Sequence, residues 1–182
     1  FGLTVISDCS HHFKNNEIIK TILGTAIKPS FIEPIVLMLI GAVITAIMQS
    51  STAVNAVLLS MVQAGIGIGS GGNAILYIVL GTNIGTCVTA LISSAGATTN
   101  AKRAALIHFL FNFCGSVLFL IVLMIWRGFM SEFWQKIIPT PEMQLALFHL
   151  AFNSICTLIF LPLTSVIVKV TELLIKEKHV EE

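Results

Sequence analysis

The chain has 182 residues, 55% of them hydrophobic and 10% charged, with a formal net charge of +1 and a mean hydropathy of +0.94. A soluble domain carries about 25% charged residues, so this composition excludes a nucleic-acid binder, a disordered tail and almost any water-soluble enzyme. No Asp, Glu, Lys or Arg occurs between Glu33 and Lys102. A soluble fold must wet its outer faces, so a run of that length identifies an all-α integral membrane protein surrounded by lipid.

In chain order, Phe1 to Ser7 reads as the end of an apolar segment, and Asp8 to Lys28 as a polar, interfacial helix. No basic region precedes an apolar core and a cleavage site, so no signal peptide is predicted, and the start at Phe1 predicts a piece of a longer chain. Four apolar stretches follow. Ile35 to Ala64 is interrupted by Gln49-Ser50-Ser51-Thr52 and by Asn55, and Ala74 to Thr99 by Gly81-Thr82-Asn83-Ile84-Gly85-Thr86. Ala104 to Trp126 is long enough to span, and Leu145 to Val168 is the fourth, with Pro162 near its end.

The connections are short. Gly65 to Asn73 is a Gly-rich turn, Asn100-Ala101-Lys102-Arg103 a polar break, and Gly128 to Glu142, with Trp134, Pro139 and Pro141, an interfacial loop. The predicted organisation is therefore 1–28 as the end of an apolar segment and an interfacial helix, 29–168 as the membrane unit, and 169–182 as a charged, solvated tail. Cys87, Cys114 and Cys156 lie in apolar segments and read as buried free thiols.

The first two stretches differ from ordinary spanning helices. Ile35 to Met48 gives about 21 Å of helix, too short for a ~30 Å core. Four polar residues and a second apolar half follow, the pattern of a broken helix or a re-entrant hairpin. Irregular backbone at that depth is tolerated only where it lines a protein cavity, and short, interrupted apolar segments point to transporter binding sites. If both interrupted stretches cross, most Lys and Arg residues share one side; if the first is a hairpin, Lys14, Lys20 and Lys28 change sides. Either way Lys102, Arg103 and the C-terminus face the cytoplasm.

Gln49-Ser50-Ser51-Thr52 supplies one amide and three hydroxyls inside the apolar run. Hydroxyls and amide N–H groups at a half-helix N-terminus suit an anion, and freed carbonyls with side-chain oxygens suit a small hard cation. The plain alternative is polar glue between helices. Gly81 to Thr86, extended by Thr89, is the second candidate; its glycines read either as a second break or as helix packing. Ala105-Leu106-Ile107-His108-Phe109-Leu110-Phe111-Asn112 is echoed by Ala146-Leu147-Phe148-His149-Leu150-Ala151-Phe152-Asn153, suggesting equivalent helices with equivalent partners. Each His reads as a bond to a neighbouring helix ahead of a proton relay. A hydrolase built on Ser50 or Ser51 lacks an orienting carboxylate in the core, so no enzyme is expected.

Gln49-Ser50-Ser51-Thr52-Ala53, Gly81-Thr82-Asn83-Ile84-Gly85-Thr86 and the His-x-x-Phe-Asn helices together resemble the sodium-dependent phosphate cotransporter family, the type II group and its bacterial relatives. The similarity covers roughly Phe1 to Pro162 and is closest to the second of that family's two inverted repeats. Thr52 stands where the family has a third Ser, Cys87 where a hydroxyl residue is common, and only one Gln-Ser-Ser copy is present. The resemblance implies one half of an inverted-repeat transporter, carrying phosphate with sodium by alternating access. It places phosphate at Gln49, Ser50, Ser51, Thr52 and Asn83, and sodium at Gln49, Ser50, Ser51, Thr82, Asn83 and Thr86. Na+ would be the coupling ion, with no other cofactor. The implied partners are inorganic phosphate, the lipid bilayer of the plasma or inner membrane, and a second repeat in the parent chain or a second copy. Two alternatives stay open: symport of another oxyanion such as sulfate or arsenate, and a non-transporting membrane scaffold. Independently, a dianion in a core without Lys or Arg must be accompanied by cations, since helix N-termini offer only about +0.5 charge each.

Overall fold

The computed structural model describes residues 31–63, 69 and 71–177; the expectations for 1–28, most of the Gly-rich turn and the end of the tail lie outside them. All regular elements among the described residues are helical. These are α1 (Glu33–Met48), α2 (Ser51–Gln63), α3 (Ala74–Ser94), α4 (Thr99–Ile125), a π-helical turn (Phe129–Trp134), α5 (Gln135–Ile137), α6 (Pro141–Phe160) and α7 (Thr164–Leu174). Helices α3, α4 and α6 are long and apolar enough to cross a membrane, and α1 and α2 are not.

Local chemistry sets the boundaries. A proline occupies the first turn of both α1 and α6, where its missing N–H costs nothing. Thr98 caps α4 by accepting from the Ala101 N–H at 3.3 Å, so Asn100 to Arg103 form the first turn of that helix rather than a break before it. The fourth apolar stretch is divided: α6 stops at Phe160, and Pro162 separates it from α7. Helix α7 continues through Lys169 to Leu174, so the first part of the expected tail is helical, with Thr171 buried and its neighbours from 169 to 174 exposed. There Arg103 Nε donates to the Ile175 carbonyl at 3.1 Å. The expected loop from Gly128 to Glu142 is mostly helical, because Phe129, Phe133 and Trp134 stack on one another and on Phe148. Cys87 and Cys156 are buried thiols, whereas Cys114 is exposed on the outer face of α4.

The helix directions follow from the contacts. Asn73 and Tyr77 reach the Leu123 carbonyl, Ser116 reaches the Leu80 carbonyl and Cys87 the His108 carbonyl, so α3 and α4 are antiparallel. Phe119 on Phe148 and Phe152, with Phe111 on Phe160, makes α6 antiparallel to α4. Gln63 bonds Glu142 and Asn55 bonds His149, so α2 is antiparallel to α6. Helix α1 runs parallel to α3, because Gly41 abuts Ile78, Gly81 abuts Met38, and Gly85 abuts Ala42 and Thr45. It follows that α1 and α2 are the two arms of an antiparallel hairpin that enters and leaves on one side. Of the two readings open for this stretch, the structure has the re-entrant one.

Helix α3 is the axis of the packing: 61% of its most apolar window is buried, against 28% for α4 and for α6. The second interrupted stretch is thus not interrupted at all, and α3 runs unbroken through Gly81 to Thr86. Its glycines serve approach instead. A Cβ on Gly81 would land on the Met38 carbonyl, one on Gly41 on the Ile78 carbonyl, and one on Gly85 within 2.6 Å of Thr45 Cβ. The backbones of α1 and α3 therefore touch directly, as small residues permit in membrane helices.

Candidate functional site

The hairpin turns at Gln49 and Ser50. Gln49 closes α1 in the left-handed region (φ 54°, ψ 24°), donating its N–H to the Thr45 carbonyl at 2.7 Å. It is the only non-glycine residue with positive φ among those described, and a Cβ there costs about 1–2 kcal/mol. Ser50 then caps α2: its Oγ accepts from the Ala53 N–H at 3.2 Å. That bond takes the third-position amide of the helix and leaves those of Ser51 and Thr52 as open donors at the tip. The last carbonyls of α1 end in the same place. The tip therefore joins the positive end of one helix to the negative end of another, with a Gln amide and three hydroxyls between them.

Its depth is fixed by α3. Gly85, which faces Thr45, lies about 17 Å along a helix of about 31 Å. The tip is one turn beyond, inside the span and short of its far end. Gln49 and Thr52 are exposed, and Ser50 and Ser51 half-buried.

The second expected element is arranged differently. Thr82 is fully buried with its hydroxyl donating to the Val79 carbonyl at 2.8 Å, and Asn83 gives its amide N–H to the same carbonyl at 2.9 Å. Thr86, half-buried, donates to the Asn83 carbonyl at 2.6 Å. The structure thus brings Gln49, Ser50, Ser51 and Thr52 together at the tip. It leaves Thr82, Asn83 and Thr86 turned into their own helix.

The echoed helices share a local geometry and differ in partners. Asn112 and Asn153 each donate to the carbonyl of the His four residues earlier, both at 2.9 Å. His149 then meets Asn55 of the hairpin, Nδ1 to Nδ2 at 3.2 Å. His108 instead lines a cleft of about 450 Å³ with Ser93, Ser94 and small alanines at the C-terminal end of α3. Equivalent partners, as the echo suggests, are not found.

Two residues outside the expected set flank the break. Thr45 Oγ1 and Asn55 Oδ1 are buried without a hydrogen-bond partner among the described residues. Each sits about one helical turn from the tip, Thr45 on the incoming arm and Asn55 on the outgoing one. The available signal was a lone polar residue inside each apolar half. No cluster of His, Cys, Asp or Glu that could hold a metal ion occurs among the described residues.

Three helices long and apolar enough to span, packed with a polar-tipped hairpin, fit an integral membrane protein, and short broken helices of this kind frame sites in transporters. The Na+/Pi-cotransporter family model matches residues 1–156, and the chain belongs to that family. It is 38% identical over 141 residues to the uncharacterized protein YqeW of Bacillus subtilis (strain 168), covering 78% of this chain and 44% of that protein. The chain thus spans less than half of that relative's length. No solved structure matches it.

Proposed function

We propose that the chain is the second-repeat half of a sodium-coupled phosphate symporter of the cell membrane, working by alternating access. The observation that carries this reading is the hairpin tip, where opposed helix ends meet inside the span without a fixed charge. The amides of Ser51 and Thr52, with the hydroxyls of Ser50, Ser51 and Thr52 and the Gln49 amide, hold the phosphate. The carbonyls ending α1, with Gln49, Ser50, Ser51 and Thr86 oxygens, hold sodium beside it. To reach either set Thr82 and Asn83 turn from the Val79 carbonyl, their oxygen lone pairs then serving sodium and the Asn83 N–H serving phosphate.

Charge supports the coupling. A phosphate of about −1.5 to −2 charge cannot be balanced by one helix end of about +0.5. Helices α1, α2 and α3 contain no Lys or Arg, so cations travel with the anion. The other repeat, in the remainder of the parent chain or in a second copy, completes the site, and Lys102, Arg103 and the C-terminus face the cytoplasm.

The test is ³²P-phosphate uptake into proteoliposomes holding the full-length protein. Uptake is expected to require sodium and to fall at least tenfold in Ser51→Ala with insertion unchanged. Flux that is the same in choline would overturn the coupling. Unaltered uptake in Ser51→Ala with a changed oligomeric state would favour the scaffold alternative, and stronger competition by sulfate or arsenate another oxyanion.

A further inference from the structure

Between α2 and α6 lies a cavity of about 330 Å³ whose polar lining is Thr52, Asn55, His149 and Glu142. It runs from the outer end of α6, where Glu142 accepts from Gln63 Nε2, to Thr52 at the hairpin tip. Among the described residues its lining is uncharged apart from Glu142 and includes neither Lys nor Arg.

Asn55 behaves unlike Asn83, Asn112 and Asn153. Asn83, Asn112 and Asn153 each return the amide N–H to the carbonyl four residues earlier. Asn55 instead sends its Nδ2 across to His149 Nδ1 at 3.2 Å, and its Oδ1 is left buried with no donor. Buried polar atoms are paired in all but a few cases, so an orphaned oxygen asks for a missing donor or cation. The His149 bond fixes the amide and hence where that oxygen points. Thr52, three residues earlier on the same helix face, brings a hydroxyl to the same cavity.

An amide oxygen, a hydroxyl oxygen and one carboxylate at the mouth repel an anion and suit a small hard cation. We infer that this cavity is a sodium site and entry path, with Asn55 Oδ1 and Thr52 Oγ1 as ligands, water completing the shell, and His149 as the positioning residue. The inference rests on the sodium-coupled reading but uses residues outside the set assigned there, Thr52 excepted. It predicts that sodium loads along the α2–α6 seam, with Glu142 drawing it in.

Thermal unfolding of the full-length protein, titrated with NaCl against choline chloride in the absence of phosphate, tests this without transport. A ligand that binds only the folded state raises the midpoint saturably. Sodium is expected to do so in the wild type. Asn55→Ala is expected to need about tenfold more sodium for half the effect, a change of ~1.4 kcal/mol. His149→Leu is expected to shift the titration about tenfold, the effect of losing a group that orients a ligand, and His149→Gln, which can still accept from Asn55, to restore it. Should Asn55→Ala not fold, the Leu and Gln pair at His149 carries the test alone. Wild-type sodium titrations in both Asn55→Ala and His149→Leu, or no sodium effect in the wild type, overturn the site. A sodium effect lost in these variants, in a protein that moves no phosphate, keeps the site and removes the transport reading.

Discussion

The α1–α2 hairpin and the middle of α3 carry similar residues and reach opposite outcomes. Both interrupt an apolar run with Thr, Asn or Ser, yet only the first breaks the helix. In α3 every interrupting polar group finds a partner inside the helix: Thr82 and Asn83 at the Val79 carbonyl, Thr86 at the Asn83 carbonyl. Nothing then favours leaving the helical ladder, and the two glycines shape a surface without ending it. At Gln49–Ser50 the side chain instead competes for a backbone amide, with Ser50 Oγ taking the Ala53 N–H. A hydroxyl that bonds forward to an amide starts a helix, and one that bonds back to a carbonyl is absorbed by one. The same side-chain chemistry thus makes a helix break in one place and a packing surface in the other.

The largest effect is expected from separating the two regions. Gly81→Leu drives a side chain into the Met38 carbonyl, a backbone atom that cannot yield. Forced apart, α1 and α3 lose their direct contact, and destabilisation of more than ~3 kcal/mol is expected. Loss of a monodisperse peak in detergent, or a collapse of the thermal midpoint, measures it. A Gly81→Leu protein with the wild-type midpoint would show that the backbones need not touch.

Much of this was legible beforehand. The charge-free run between Glu33 and Lys102 fixed the membrane setting, and the shortness of Ile35 to Met48 before Gln49 located the break. What could not be read was which polar groups would bond forward and which back, since Thr82 and Ser50 look alike in a one-dimensional pattern. The loop expected from Gly128 to Glu142 fails for a related reason. Its aromatic residues form a cluster with Phe148 of the helix that follows, and Asn73, from before α3, caps the junction by accepting from the Met130 N–H at 2.9 Å. Asn73 lies 57 residues from Met130, and Phe148 reaches back from the next helix, so neither contact shows in the loop's own sequence. Helix α7 escaped notice because Pro162 and Lys169 disguise an amphipathic helix as a fading apolar stretch.

Next in size are changes at the tip itself. Ser50→Ala removes the cap of α2 and is expected to cost about 1 kcal/mol, with uptake reduced further because the first-turn amides lose their alignment. Ser50→Asp keeps the cap, so its thermal midpoint is expected to return. Its carboxylate repels phosphate, so its uptake is not. Recovery of both would mean that Ser50 only shapes the helix.

Gln49→Gly separates conformation from chemistry at a single residue. The left-handed backbone at φ 54° suits glycine better than any residue with a Cβ, so the fold is expected to gain up to about 1 kcal/mol. Deleting the amide side chain is expected to cost uptake at the same time. Gln49→Val is expected to lose both, since β-branched residues tolerate that backbone least. A Gly variant less stable than the wild type would mean that the Gln49 side chain holds the tip together.

The smallest effect is expected at Thr82, and it is the sharpest test of the contrast. Thr82→Val keeps the shape and removes a hydroxyl whose bond lies within its own helix. The carbonyl it leaves, Val79, keeps the Asn83 amide as a donor at 2.9 Å, so no buried acceptor is orphaned. Stability is expected to change by less than about 0.5 kcal/mol, and the sodium dependence of uptake by no more than a few-fold, against tenfold or more for Ser51→Ala. A Thr82→Val protein of normal stability that has lost sodium dependence would place Thr82 in the transport site. It would require α3 to turn that hydroxyl outward during the cycle, making the rigid region of this comparison a moving part.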